Sequence, residues 1–477
     1  MKNIIKAIVS VTVLFSTVIP AVQAQDLKSS YFMEGSTYRH RMNPAFYNES
    51  SYINLPFVVM GNFNLGLNSN MGLGTFLYPT ADGGLTTFMN SSVSADQFLG
   101  NLSNTNRLSL DLSTDILSLG FFGIAGGFNT IEIGLRSNTS VILPKELFSF
   151  MKNMMTDADG TEYHIRNIGV SSNNYLQLSL GHSRYVWEDR ISVGAKVKFL
   201  VGIANAYANI DNLDLYFSQD VWSAKASGSG YVSMKGLDFT TDASNNINGI
   251  DFRTDQLGIS GFGAAIDLGA SFDMSYLVPG LAVSASVTDL GFISWNSNLS
   301  ATMDNSFEFT GLSENIGPDS SIEDELTAIG QQAKDLFKPQ KGDNLPSRTT
   351  MLNAKMFLAA EYKLPVYDKV KFGLLSQTTF NGPHTYAEGR LVAQYSPSEW
   401  FDISLNYAYG SLGSSFGWML NFHPKGFNFF IGSDHFYIGK YSPQLLPVGK
   451  INMNISFGFN ITWGSGKIAA HKAGLAD

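Results

Sequence analysis

Cysteine is absent from the chain, so disulfide staples and thiolate metal sites are excluded. Charge is scarce as well: 15% of the 477 residues are Asp, Glu, Lys or Arg, against about 25% in soluble domains. What charge there is leans acidic, to a formal −9. Nucleic acid, which is held by basic patches that displace counterions, is therefore not an expected partner. Long apolar runs are the third shortage. Beyond the N-terminus no stretch approaches the ~18 consecutive apolar residues of a membrane-crossing helix, although 44% of the chain is hydrophobic and 13% aromatic. So much apolar surface must follow another pattern.

The one apolar run sits at the start. Lys2 and Lys6 give a positive start ahead of the apolar stretch 8–19, and Val22-Gln23-Ala24 offers small residues for cleavage. Together they read as a secretory leader over residues 1–24. Cleavage after Ala24 makes Gln25 the first mature residue, and the loss of two lysines takes the formal charge from −9 to −11.

Elsewhere the apolar residues alternate. Ile451, Met453, Ile455, Phe457, Phe459, Ile461 and Trp463 share one parity, while Asn452, Asn454, Ser456, Gly458, Asn460 and Thr462 fill the other. Period two is the side-chain period of a β-strand. Such a run exceeds the ~5–6 residues common in soluble sheets and suits the ~9–11 of a tilted strand crossing a bilayer. Similar two-faced runs lie at 53–67, 190–203 and 401–410. Lipid outside and a polar lumen inside account for both faces. The expected fold is all-β, a transmembrane antiparallel β-barrel of about 14 strands. Marking every alternating segment, including 107–114, 116–125 and 206–217, gives about 16 as the alternative.

The expected organisation is a leader at 1–24, an N-terminal luminal plug at 25–52, a barrel at 53–463 and a tail at 464–477. The strands at 53–67 and 451–463 should pair and close the cylinder, because open edges are not tolerated in lipid. Two short helices interrupt the strands. One, at 144–155, opens on Pro144. The other, at 321–337, has Ser320 and Glu323 at capping-box spacing and Ile322, Leu326, Ile329, Ala333 and Leu336 in one stripe. Segments 69–106 and 218–256, rich in Asn, Ser, Gly and Asp, read as rim loops.

Several motifs carry a resemblance. Tyr31-Phe32-Met33-Glu34, then Tyr38-Arg39-His40-Arg41-Met42-Asn43-Pro44-Ala45-Phe46, look like the start of an uncharacterised family of Bacteroidota outer-membrane proteins. Segment 64–73, Leu77-Tyr78-Pro79 and Asp289-Leu290-Gly291-Phe292 extend the likeness over nearly the whole chain. More distantly, through Asn43-Pro44-Ala45, the chain resembles the FadL group of hydrophobic-compound transporters and the PorV component of type IX secretion. That resemblance implies a 14-stranded barrel whose N-terminal segment enters the lumen. Such barrels usually end on an aromatic residue, whereas Trp463 is followed here by 464–477.

Catalytic patterns are few. Gly413-Ser414-Ser415-Phe416-Gly417 fits G-x-S-x-G but sits in an alternating run with no helix after it, unlike a nucleophile elbow. Asp157-Ala158-Asp159-Gly160 lacks the remaining ligands of a calcium loop. The seven histidines show no metal-binding spacing. The chain is thus not read as an enzyme, and no cofactor is expected. The plug residues Arg39, His40, Arg41, Asn43, Pro44 and Ala45 carry more information. Charges in a lumen need partners, and Asp267, Glu361 and Asp402 have the strand parity to supply them. The leading function is a plugged barrel in the outer membrane of a Gram-negative bacterium that binds or passes hydrophobic compounds. The alternative is a secretion or surface-assembly component that docks exported proteins. Expected partners are outer-membrane lipid, a hydrophobic small molecule and, on the second reading, exported proteins.

Overall fold

The computed structural model describes residues 27–48, 50–54, 62–80, 83–154, 159–187, 190–218, 221–309, 335–380, 385–411, 413–436 and 448–464. The leader, most of the tail and most of the 321–337 segment lie outside the described residues.

Among the described residues fourteen antiparallel strands close into one barrel. The first four are β1 (Ser51–Asn54 and Phe63–Gly72), β2 (Thr105–Phe122), β3 (Phe128–Pro144) and β4 (Thr161–Trp187). Then follow β5 (Ile191–Phe217), β6 (Trp222–Met234 and Gly261–Asp273), β7 (Leu281–Trp295 and Asn298–Phe309) and β8 (Arg348–Met351 and Lys355–Lys363). The circuit ends with β9 (Val370–Thr379), β10 (Tyr386–Ser398), β11 (Phe401–Gly410), β12 (Gly413–Phe422), β13 (Phe427–Phe436) and β14 (Lys450–Trp463). Both runs of β1 pair with β2 on one side and β14 on the other, with Ile53 opposite Ile461 and Phe63 opposite Phe457. The first and last strands therefore close the cylinder.

Burial runs opposite to that of a soluble protein. Phe199, Phe262, Leu268, Leu391 and Leu405 are at least half exposed on the outer face. Asn64, Ser118, Asn428, Ser456 and Asn460 are buried on the inner one. Apolar side chains outside a polar interior are stable only where the outer solvent is lipid.

Two sequence expectations change. Segments 107–114 and 116–125 are one strand, β2, and 190–203 and 206–217 are one strand, β5. Each contains a bulge. Pairing jumps from Asp115↔Gly134 to Leu117↔Ile133, leaving Ile116 extra, and from Asn174↔Ala204 to Tyr175↔Gly202, leaving Ile203 extra. One extra residue exchanges the faces beyond it, and a period-two pattern then looks broken. With these two mergers, sixteen alternating segments become fourteen strands.

The region 218–256 is also more ordered than a rim loop. It holds the upper run of β6 and a hairpin of Leu237–Thr241 with Ile247–Phe252. The strands β4 and β5 have 27 residues each, well beyond the ~9–11 that a bilayer requires. Their upper halves, joined by the upper runs of β6 and β7, form a sheet that projects past the lipid-facing belt.

The long-loop end carries its own apolar core. Helix α1 (Ala95–Leu99) contributes Phe98, and α2 (Lys145–Asn153) lies between two clusters, with Pro144 as its N-cap. Phe148 of α2 packs with Met71, Tyr78, Val93, Phe98 and Leu102. Leu147 and Phe150 turn instead to the projecting sheet, against Tyr163, Ile165, Leu213 and Leu215.

Candidate functional site

Residues 27–48 lie inside the cylinder, because their partners come from strands all around it. Lys28 and Ser29 meet β13, Glu34 meets β9, Arg41 meets β2, and Asn43 meets β6. Two single-turn helices, Lys28–Ser30 and Arg39–Arg41, fold the segment compactly.

Three ionic anchors hold it. At the first, the Asp434 carboxylate accepts from the Lys28 N–H at 2.6 Å, the Ser29 N–H at 2.7 Å and the Ser29 hydroxyl at 2.6 Å. Beside it, Glu388 is bonded by the Lys28 ammonium at 3.2 Å and by Arg390 at 2.7 Å. The second joins Lys371 of β9 to Glu34 at 2.8 Å and to the Phe32 carbonyl at 3.2 Å. The third is the most buried. There Arg41 pairs with Asp115 and, at 3.4 Å, with Glu132, whose other oxygen takes Lys196 at 2.7 Å. His40 Nε2 lies 3.1 Å from Glu132 and 3.2 Å from the Tyr52 hydroxyl. Burial and the neighbouring Lys196 ammonium push His40 down to about 4, although Glu132 pulls the other way. The imidazole is therefore neutral at pH 7.

The Asn-Pro-Ala motif serves close packing. The Asn43 side chain accepts from the Ala45 N–H at 3.0 Å and donates to the Ala270 carbonyl at 3.2 Å. Ser192 donates to the Ala45 carbonyl. A Cβ at Gly194 would overlap the Pro44 carbonyl, and one at Gly269 would overlap the Asn43 side chain. These two glycines, on adjacent strands, make the slot that the motif fills.

The inward carboxylates expected to face the arginines do not do so. Asp267 pairs with Lys198 at 2.7 Å, Glu361 with Lys371 at 3.2 Å, and Asp402 with His423 at 2.9 Å. Arg39 stays within its own segment, donating to the Tyr47 carbonyl at 3.0 Å with its guanidinium 4.6 Å from the Phe46 ring. Parity placed all three acids in the lumen but could not give their height or angle around it. Asp115, the actual partner of Arg41, stands next to the β2 bulge.

The G-x-S-x-G run is part of β12. Ser415 bonds His435 Nδ1 at 2.8 Å, and His435 Nε2 lies 3.6 Å from Glu388. The line resembles a triad in composition, but Glu388 is held by Lys28 and Arg390, and Ser415 is paired within the strand ladder to Ala408. It braces the first anchor.

Beside the segment lies a cavity of about 150 Å³. Lys28 and Arg41 of the segment contribute to its lining, together with wall residues such as Glu132, Lys198, Asn353 and Gln377. Two contacts cross the lumen: Asn353 of the β8 break donates to Asn138 of β3 at 3.3 Å, and Arg107 of β2 lies 5.8 Å from the Tyr386 ring of β10.

A closed, lipid-facing cylinder with its lumen occupied by its own N-terminal segment defines a plugged membrane β-barrel. The chain belongs to a Family of unknown function (DUF5723), matched over residues 44–434. No curated protein matches it. Among solved structures it is similar to the toluene transporter TbuX of Ralstonia pickettii, at 8% identity over 94% of this chain and 100% of that one, with a TM-score of 0.43. It is also similar to the toluene transporter TodX of P. putida, at 9% identity over 90% and 92% with a TM-score of 0.36. A Pseudomonas aeruginosa FadL homologue matches at 10% identity over 93% and 99%, with a TM-score of 0.38.

Proposed function

We propose that the protein is an outer-membrane barrel that binds hydrophobic compounds at its loop end and whose lumen is stoppered by residues 27–48. The observation that carries this reading is the apolar core above the barrel. Phe98 is fully buried there, 4.2 Å from the Phe88 ring and 6.1 Å from Phe148. These aromatics come from separate loop segments that meet outside the lipid belt, where an apolar compound would first arrive. The lumen below is lined largely by polar and charged groups, so hydrophobic cargo is held at the loop end and not in the cavity.

Docking of exported proteins has less behind it. The helical stripe that would serve it spans 321–337, and its described end is occupied: Leu336 is buried and Phe337 packs against the projecting sheet.

The test is lipid mass spectrometry on purified protein, joined to binding of a fluorescent fatty acid. The wild type should carry a lipid-like ligand, and Phe98→Ala should weaken probe binding about tenfold while the barrel keeps its heat-modifiable migration. A preparation that neither carries nor binds such compounds would remove the hydrophobic reading.

A further inference from the structure

We propose that the luminal cavity is a binding site for a small neutral polyhydroxyl solute of about monosaccharide size. The argument starts with charge. Lys28 is paired with Glu388, Arg41 with Asp115 and Glu132, Lys196 with Glu132, and Lys198 with Asp267 and Asp289. Most acids and bases of the lining are thus already paired, Arg136 with Asp115 at 3.6 Å among them, and an ionic solute would have to break existing pairs to gain its own.

What remains for a ligand is amide chemistry. Asn68 and Gln377 both line the cavity, are 3% and 6% exposed, and leave their side-chain oxygens without a hydrogen-bond partner. Gln377 spends its amide N–H on Thr379 at 2.9 Å, so its oxygen is the free function. A buried acceptor without a donor is destabilising until one is supplied. Both sites call for a hydrogen-bond donor, which hydroxyl groups supply and hydrocarbons do not. Tyr175 and Tyr386 also line the space and add aromatic surface for the C–H side of a sugar. Leu112, Leu352 and Ala387 are the aliphatic side chains of the lining. A volume of about 150 Å³ is of the order that accepts one six-membered ring.

Isothermal titration of the detergent-solubilised full chain tests the proposal, with glucose, galactose and mannose as probes and glycine betaine and benzene as comparators. At least one sugar should bind saturably in the millimolar range, and neither comparator should. Gln377→Leu should weaken that sugar about tenfold, whereas Leu391→Ala, on the lipid face of β10, should leave it unchanged. Asn353→Ala, in the break between the two runs of β8 and outside the strand ladder, serves as the second variant should Gln377→Leu fail to fold. No saturable heat with any of the three sugars up to about 100 mM would overturn the site. So would affinities unaltered by whichever variant folds.

Discussion

At the scale of single residues the N-terminal segment is fixed by a few side chains whose removal has separable effects. Asp434 accepts three hydrogen bonds from Lys28 and Ser29, and charge-assisted bonds of this kind contribute about 1.5–3 kcal/mol each. Asp434→Asn keeps the shape but loses the charge and turns one acceptor into a donor. Undocking should become easier by about 2 kcal/mol, roughly a thirtyfold larger open population, read as more frequent openings in planar-bilayer recordings. Gly194→Val should act by size alone, expelling Pro44 from its slot and exposing the segment to protease. Gly389→Ala is the matching control, since a Cβ there meets nothing nearer than 3.9 Å. His40 gives a pH dependence. Its native value of about 4 lies below the 6.5 of an ordinary imidazole, so the undocked state takes up the proton first. Docking is at full strength above pH 6.5, weakens as pH falls toward 4, and changes no further below that, with about 3 kcal/mol as the upper limit. Glu132, Lys196, Arg41 and Tyr52 face the same ring, and His40→Gln isolates its share. Conductance rising between pH 7 and 4.5 in the wild type, and less in the variant, is the expected record.

At the scale of elements, α2 joins two apolar clusters and meets the barrel strands at their loop-end residues, Met71, Leu143 and Tyr163. Phe148→Ala should cost about 3–5 kcal/mol locally, yet the loss should stay in the loop end as a separate opening unit. Limited proteolysis should then cut near 145–160 sooner, while heat-modifiable migration of the barrel stays as it was. Legibility in the sequence also divides by element. Strands such as β11 and β14 were readable because lipid on one side and the lumen on the other force strict alternation. The upper run of β6 was not: Ser223-Ala224-Lys225-Ala226-Ser227-Gly228 pairs above the lipid belt, where no solvent demands an apolar face. The bulges at Ile116 and Ile203 hid continuity for the opposite reason, by exchanging faces within one strand. The candidate site was half legible. Asn43-Pro44-Ala45 and Arg41 marked the luminal segment, but their partners Gly194, Gly269, Asp115 and Glu132 depend on relative strand heights, which composition does not encode.

At the scale of the whole molecule, a cylinder of fourteen strands encloses more space than its own inward side chains fill, and the N-terminal segment occupies much of that space. The barrel does not depend on the segment for closure, since β1 pairs with β14 through backbone hydrogen bonds. Removing residues 26–51 should therefore leave a folded cylinder, provided the β1 run at Phe63–Gly72 keeps its pairing with both neighbours. It would also leave Asp434, Glu132, Asp115 and Lys371 without their luminal partners, and water would have to enter to solvate them. A water-filled path of that kind conducts ions. In planar bilayers the wild type should show little steady conductance and the deletion a large one, increasing as salt is raised. The deletion should also be the less heat-stable of the two, because three ionic anchors are lost. Conductance that is high in the wild type and unchanged by the deletion would mean that the segment lies in the lumen without closing it. The sugar site would then face an open channel and not a stoppered one.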